Sequence, residues 1–165
     1  MTGKLPVSVL VLTRNNAATL DATLASLHRF DDVVIIDSHS GDATRRIALT
    51  HGAKVIDFEW NGQYPKKKQW ALEHAPLKYE WVFYCDADEE VTQEFVSEVQ
   101  KRITPVCPYH GFFVKARNVY EGKILKFGMQ NKKLALFRRD AFSYPVIDDL
   151  ACDQMGEIEG HYQPI

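Results

Sequence analysis

Short runs of apolar residues alternate with amphipathic segments along the first two thirds of the chain. The runs are continuous, as expected for strands covered on both faces. In the segments between them, apolar residues recur at the spacing of a helix face. This alternation of strand and helix predicts an α/β fold, with a parallel sheet and helices on both faces. The strands are predicted at residues 7–12, 33–36, 54–58 and 81–85.

Residues with special roles at helix ends set the predicted helix boundaries. Asn16 is predicted to cap the first helix, because its side-chain oxygen can accept a hydrogen bond from a backbone N–H. Gly52 is predicted to end the second helix, since glycine adopts the left-handed conformation favoured there. Pro65 suits the first turn of the third helix. A fourth helix is predicted at residues 92–103.

The pattern changes from Gly111 onward. The segments GFFVKARNVY, KILKF and LALFRRD resemble strands joined by short turns, so part of the sheet is expected to be antiparallel. No repeat or linker divides the sequence, and we expect one domain over residues 1–165. The last residues, GEIEGHYQPI, contain no closing helix and end on an apolar residue, so we expect the natural chain to continue.

Composition and charge exclude several classes of protein. A net charge of −2 gives no electrostatic indication of nucleic-acid binding. The three cysteines are far apart and form no C-x-x-C pair, which argues against a zinc site or a disulfide framework. We therefore expect a cytoplasmic protein. No apolar run approaches the roughly 20 residues that a membrane-spanning helix needs, and the apolar start of the chain is interpreted as a strand.

Polar residues follow each of the four predicted strands. Because ligands of open parallel sheets bind beyond the carboxyl ends of the strands, these residues are candidates for one binding site. The alternative is that polar side chains simply populate loops. The candidates are Thr13, Arg14 and Asn15; Asp37, Ser38, Ser40 and Asp42; Trp60, Gly62 and Lys66 to Lys68; and Asp86 and Asp88.

The stretch FYCDADEE, residues 83–90, places four acids directly after an aromatic strand. Two carboxylates about 4 Å apart repel by roughly 4 kcal/mol at an effective dielectric near 20, so water or a cation must offset the repulsion. Asp86 and Asp88 are two positions apart and would share a face of an extended segment. They could reach one ligand, the second through Mg²⁺ or Mn²⁺. Glu89 and Glu90 are interpreted as favourable charges at the start of the next helix.

Competing motifs do not fit this acidic stretch. A calcium-binding loop beginning at Asp86 would need glycine at its sixth place and glutamate at its twelfth, where the chain has Val91 and Ser97. An aspartyl phosphatase would carry D-x-D-x-T after the first strand, whereas this pair follows the fourth and has Glu90 in place of threonine. Neither G-x-x-x-x-G-K-[ST] nor G-x-G-x-x-G is present, which removes the P-loop and dinucleotide-binding interpretations.

With these motifs, the chain resembles the family 2 inverting glycosyltransferases of the GT-A fold. The resemblance covers nearly the whole chain and rests on VSVLVLTRNNAATLDATLASL, VVIIDSHSGDAT, the strand that ends in CDADEE, and LALFRRD. Among such enzymes, it is similar to small ones that add glucose or a related sugar to the core of bacterial lipopolysaccharide. The resemblance implies a Rossmann-like nucleotide-diphospho-sugar transferase fold, with a mostly parallel sheet and an antiparallel C-terminal part.

The resemblance also implies roles for individual residues. A nucleotide-sugar donor, with UDP as the expected nucleotide, would bind to the first four strand ends, and Asp37 would contact its uracil or ribose. Asp86 would meet the ribose, and Asp88 would hold Mn²⁺ or Mg²⁺. The three lysines of residues 66–68 stand where relatives contact the diphosphate, although a solvated helix face would explain them equally well. The full donor-binding set is Thr13, Asn15, Asp37, Ser40, Lys67 and Asp86.

Catalysis would need a carboxylate that deprotonates the acceptor. Asp149 is the best match to the base of the family and Asp148 is the second choice, while the alternative is that both are solvated loop residues. Relatives also present a metal-binding histidine, for which His161 lies early and the expected position falls just beyond Ile165. Residues 1–105 would then form the nucleotide-binding part and residues 106–165 the acceptor side.

The implied partners are a nucleotide-sugar donor and a glycan or lipid-linked acceptor, without nucleic acid. Such an enzyme could associate peripherally with the inner face of the membrane. Three other functions stay open: an inactive nucleotide-sugar-binding module, a nucleotidyltransferase, and a partner-binding domain with solvated acids. The absence of glycine from LTRNNA, after the first strand, argues against a nucleotidyltransferase.

Overall fold

The computed structural model describes residues 3–125, 131–151, 156–160 and 162–165. Strands and helices alternate in the first part of the chain, and strands follow in the second. The helices are α1 (Leu20–Ser26), α2 (Thr44–Thr50), α3 (Lys67–His74) and α4 (Gln93–Arg102). The strands are β1 (Leu5–Thr13), β2 (Phe30–Asp37), β3 (Lys54–Asp57), β4 (Trp81–Asp86), β5 (Gly111–Ala116), β6 (Val119–Tyr120), β7 (Lys123–Ile124) and β8 (Asn131–Arg138).

Six of these strands form one mixed sheet in the order β3-β2-β1-β4-β8-β5. Strand β1 lies between β2 and β4 and is parallel to both, and β2 is parallel to β3. Strand β8 is antiparallel to its neighbours β4 and β5. Strands β6 and β7 form a separate antiparallel hairpin. The predicted combination of a parallel sheet with an antiparallel C-terminal part is therefore confirmed.

The core lies on both faces of the sheet, because alternate side chains of a strand point to opposite sides. Val7, Val9 and Val11 of β1 belong to the cluster that α1, α2 and α4 cover. Leu10 belongs to the opposite cluster, where Ala71 of α3 also packs. Each of these strand residues is fully buried, and burying a Val or Leu side chain contributes about 1.5–3 kcal/mol. This two-sided burial explains why the strands are continuous apolar runs.

The helix ends agree only in part with the predictions. Gly52 follows α2 with a positive φ of 73°, as predicted. Asn16 does not cap α1 with its side chain, because its Oδ1 atom accepts the backbone N–H of Arg14 at 2.7 Å instead. Pro65 precedes α3 rather than occupying its first turn. The prediction for these two residues was therefore wrong.

Candidate active site

The loops after β1 and β2 are joined through one buried carboxylate, that of Asp37. The hydroxyls of Thr13 and Ser40 each donate to its Oδ1 atom at 2.6 Å, and the Ser40 N–H donates to Oδ2 at 2.9 Å. Arg45 makes a longer contact of 3.5 Å with Oδ2. Burial alone would raise the pKa of Asp37, but the hydrogen bonds from Ser40 and Thr13 outweigh it and lower the pKa below 3.8. Asp37 is thus a charged group that holds two loops together.

Asn15 completes this arrangement. Its N–H donates to Ser40 Oγ at 2.8 Å, and its Oδ1 atom accepts the N–H of Gly41 at the same distance. Asn15 has a positive φ of 56° and is exposed, whereas Thr13 is buried. The structure therefore brings Thr13, Asn15, Asp37 and Ser40 together, and we call these four residues the Asp37 unit.

The lysines at the start of α3 face the interior. Lys66 and Lys67 are 0% and 1% exposed, so the interpretation of residues 66–68 as a solvated helix face was wrong. Lys67 Nζ donates to the carbonyl of Thr13 at 2.9 Å and to Ser38 Oγ at 2.5 Å, which attaches α3 to the chain at the ends of β1 and β2. Burial lowers the pKa of Lys67, although the neighbouring Glu157 carboxylate opposes that change.

Asp149, the predicted base, is held by two residues near α3. Lys66 Nζ donates to Asp149 Oδ2 at 2.8 Å, and the Tyr64 hydroxyl donates to Asp149 Oδ1. The hydrogen bond from Lys66, followed by that from Tyr64, lowers the pKa of Asp149 below 3.8. Burial and the Asp149 carboxylate raise the pKa of Tyr64 to about 12. Asp149 is therefore ionised near neutral pH and is not a solvated loop residue, while Asp148 is exposed.

A groove of about 380 Å³ lies beside Tyr64, the partner of Asp149. Tyr64 lines the groove and also binds Asp149, so the groove and the carboxylate share one wall. Residues of α3 and of the segment after β8 form the remaining sides, including Gln69, Glu73 and Tyr144. The arrangement combines aromatic rings with polar groups, which suits a ligand of mixed polarity.

The acids at the end of β4 and directly after it differ in their partners. Asp86 and Glu89 both accept hydrogen bonds from Lys133 Nζ, at 2.6 and 2.8 Å. The prediction that Glu89 belongs to the start of the next helix was wrong, because α4 begins at Gln93 and Glu89 binds Lys133 instead. Asp88 is exposed and makes no hydrogen bond or ion pair with another residue of the described part of the chain.

Asp88 is the residue just after β4 that could hold a divalent cation. Within the described ranges, no three His, Cys, Asp or Glu side chains converge to hold a metal ion. Mg²⁺ in phosphate-binding sites, however, needs only one or two carboxylates, since the substrate phosphates and water supply the other oxygens. An open carboxylate at Asp88 fits a site of that kind. His161, the early candidate for a metal-binding histidine, lies outside the described residues.

Sequence reasoning missed a segment that closes over the start of α3. Glu157 Oε1 accepts the hydroxyl hydrogen of Ser38 at 2.6 Å and lies 3.5 Å from Lys67 Nζ. The buried carboxylate of Glu159 accepts the N–H groups of Lys68 and Gln69, at 2.8 and 2.7 Å. Glu159 thus satisfies backbone donors that the first turn of a helix leaves unpaired. The only signal in the sequence was the spacing of these acids in GEIEG.

Residues 8–145 match the sequence model of glycosyl transferase family 2. Because this match covers most of the chain, the chain belongs to that family. The recognition made from the sequence is confirmed, and the expected enzyme class, a glycosyltransferase, agrees with it. No helix in the described ranges has the length and apolar character needed to cross a membrane.

Several known proteins are similar to this chain. An uncharacterized glycosyltransferase of Rickettsia typhi is 31% identical over 143 residues, which are 84% of this chain and 48% of that protein. The lipopolysaccharide core biosynthesis glycosyltransferase LpsC of Rhizobium meliloti is 33% identical over 96 residues, 55% of this chain and 34% of LpsC. This chain therefore spans about half the length of the first of these relatives and less of the second.

Solved structures of TarS from S. aureus resemble the fold. One aligns over 86% of this chain and 30% of TarS, with a TM-score of 0.58 and 22% identity. A second, TarS residues 1–349 in complex with UDP, aligns over 60% of this chain and 32% of that chain, with a TM-score of 0.50 and 28% identity. The predicted GT-A fold is thus confirmed.

Proposed function

We propose that this chain transfers a sugar from a UDP-sugar to a glycan or lipid-linked acceptor, with inversion at the anomeric carbon and with the help of Mn²⁺ or Mg²⁺. The observation that carries the proposal is the Asp37 unit, which lies beyond the carboxyl ends of β1 and β2, where open α/β sheets bind their ligands. Family membership and the UDP complex of TarS support a uridine nucleotide. The similarity to LpsC supports an acceptor of the lipopolysaccharide core.

We assign the donor to the edge formed by the Asp37 unit, Lys67 and Asp86. Thr13 and Ser40 keep Asp37 ionised and fixed, and Asn15 is the exposed member of the unit. Asp37 would contact the uracil or ribose by giving up its 3.5 Å contact with Arg45, which is the longest contact to that carboxylate. In this scheme residues 1–105 bind the nucleotide and residues 106–165 form the acceptor side of one domain.

Charge compensation would come from Asp88 and a bound cation. Asp88 is an open carboxylate after β4 and would hold Mn²⁺ or Mg²⁺. When bound, the cation would act as a Lewis acid that stabilises charge on the departing diphosphate. Lys67 lies at the same edge of the sheet. Its ammonium group would exchange its contact with Glu157 for one with a phosphate oxygen, and would so add a positive charge that does not depend on a metal.

The acceptor would occupy the groove beside Tyr64. Asp149 would take the proton from the acceptor hydroxyl while that oxygen forms a bond to the anomeric carbon and the bond from this carbon to the diphosphate breaks. Because attack and departure occur on opposite faces, the configuration inverts. Lys66 and Tyr64 fix the position of the base, at the cost of lowering its pKa. Asp148 is exposed nearby in sequence and is the second candidate for this role.

Calorimetry with UDP tests the proposal. We expect UDP to bind with Mn²⁺ present and to bind much more weakly in EDTA. Asp88→Asn should weaken the metal-dependent binding, whereas the matched variant Glu90→Gln, which changes another exposed acid of the same run, should not. Equal affinity in EDTA and Mn²⁺, or equal losses in the two variants, would contradict the assigned roles. Binding without transfer to any acceptor would favour the alternative of an inactive nucleotide-sugar-binding module.

A further inference from the structure

Lys133 lies between Asp86, the last residue of β4, and Glu89. Strands β4 and β8 are antiparallel, so the beginning of β8 lies beside the end of β4 and brings Lys133 to Asp86. Its ammonium group lies 2.6 Å from Asp86 Oδ2 and 2.8 Å from Glu89 Oε2. The side chain of Lys133 is only 17% exposed. A half-buried ammonium with two carboxylate partners is more confined than a lysine on an open surface.

The Lys133 ammonium group stays protonated in this position. Burial by itself lowers the pKa of Lys133, but attraction to Asp86 and the hydrogen bonds to Asp86 and Glu89 outweigh that effect and raise the pKa above 10.5. The backbone N–H of Asp86 also donates to Glu89 Oε2 at 3.2 Å, which holds the Glu89 carboxylate at the end of β4. The cluster is thus compensated by a cation of the chain itself.

We propose that Lys133 is a built-in counter-ion that competes with divalent metal for Asp86 and Glu89, and so leaves Asp88 as the metal ligand of the acidic run. Free metal at Asp88 then has neither Asp86 nor Glu89 as a second ligand and binds weakly. The diphosphate of the donor adds further oxygens, so metal and nucleotide bind together rather than metal first. The order of binding rests on the function proposed above, but the competition between Lys133 and metal does not.

Titration of the protein with Mn²⁺ alone, with free Mn²⁺ followed by electron paramagnetic resonance, tests the competition. Lys133→Met should bind Mn²⁺ at least about tenfold more tightly than the unchanged chain, equivalent to about 1.4 kcal/mol. Lys132→Met is the matched control, because Lys132 is the exposed neighbour and makes no hydrogen bond or ion pair with Asp86 or Glu89. It should leave the Mn²⁺ affinity unchanged. Lys133→Arg keeps the charge and should also bind Mn²⁺ weakly.

An Mn²⁺ affinity that is the same in Lys133→Met as in the unchanged chain would overturn the proposal, as would equal tightening in Lys132→Met. Lys133→Gln, measured in parallel, gives the same comparison if the methionine variant does not fold. Since no nucleotide is present in these titrations, their outcome is separate from that of the UDP experiment. A chain that binds no UDP but shows the tenfold change would refute the proposed function and support the counter-ion.

Discussion

Replacing Asp37 with asparagine should destabilise the fold by an amount that can be worked out from its hydrogen bonds. Asparagine has nearly the same shape, and its oxygen can still accept from the Thr13 and Ser40 hydroxyls. Its NH₂ group, however, would face the Ser40 N–H, which now donates to a buried charged oxygen at 2.9 Å. A hydrogen bond to a charged group contributes about 1.5–3 kcal/mol. The partly exposed partner Arg45 adds at most about 1 kcal/mol.

We therefore expect Asp37→Asn to lower the free energy of unfolding by about 1.5–4 kcal/mol, measured by urea denaturation at neutral pH. Asp57→Asn is the matched control, because Asp57 also binds Arg45 but is exposed. It should cost less than about 1 kcal/mol. A loss in Asp37→Asn no larger than in Asp57→Asn would refute the view that Asp37 holds the two loops together.

The Asp37 carboxylate should also make the free energy of unfolding depend on pH in the acidic range. The pKa of Asp37 is lower in the folded chain than its ordinary value of 3.8. Its contribution is therefore present above that value and is lost as the pH falls through the folded pKa. The difference in stability between the unchanged chain and Asp37→Asn should shrink below about pH 4.

Two further predictions concern the residues at the start of α3. Lys66→Met removes the hydrogen bond that contributes most to the lowered pKa of Asp149, so that pKa should rise. The acidic limb of the pH profile of UDP release should then move to higher pH. An acidic limb that does not move would argue against Asp149 as the base. Glu157→Gln removes a negative charge from beside Lys67 and Ser38, so calorimetry should find UDP bound more tightly, by about 1 kcal/mol or fivefold. Weaker UDP binding in Glu157→Gln would mean that Glu157 supports the nucleotide site rather than competing for it.

The fold could be predicted from the sequence because its determinants are local. Continuous apolar runs mark the buried parallel strands, and the rule that ligands bind beyond the carboxyl ends of such strands identified the residues of the Asp37 unit. Their hydrogen bonds link positions 24 and 25 residues apart, across one strand–helix–strand repeat. A repeat of that kind has a known geometry, so the proximity of these loops follows from the pattern.

The partners of the charged residues could not be predicted in this way. Lys66 pairs with Asp149 over a separation of 83 residues, and Lys133 pairs with Asp86 over 47. Glu159 binds the start of α3 from 90 and 91 positions away. Such pairs depend on how the second part of the chain packs against the first, which periodicity does not specify. The three lysines of residues 66–68 were for this reason as compatible with a solvated face as with a buried one.

Sugar transfer from a uridine nucleotide can be followed by proton NMR of a UDP-sugar incubated with the chain, Mn²⁺ and a lipopolysaccharide-core acceptor. We expect UDP to be released and the new glycosidic bond to have the opposite anomeric configuration to the donor. Asp149→Asn should abolish transfer while UDP still binds. Transfer with retained configuration, or undiminished transfer by Asp149→Asn, would contradict the proposed mechanism. Failure of the chain to bind or consume any UDP-sugar would contradict the proposed function itself.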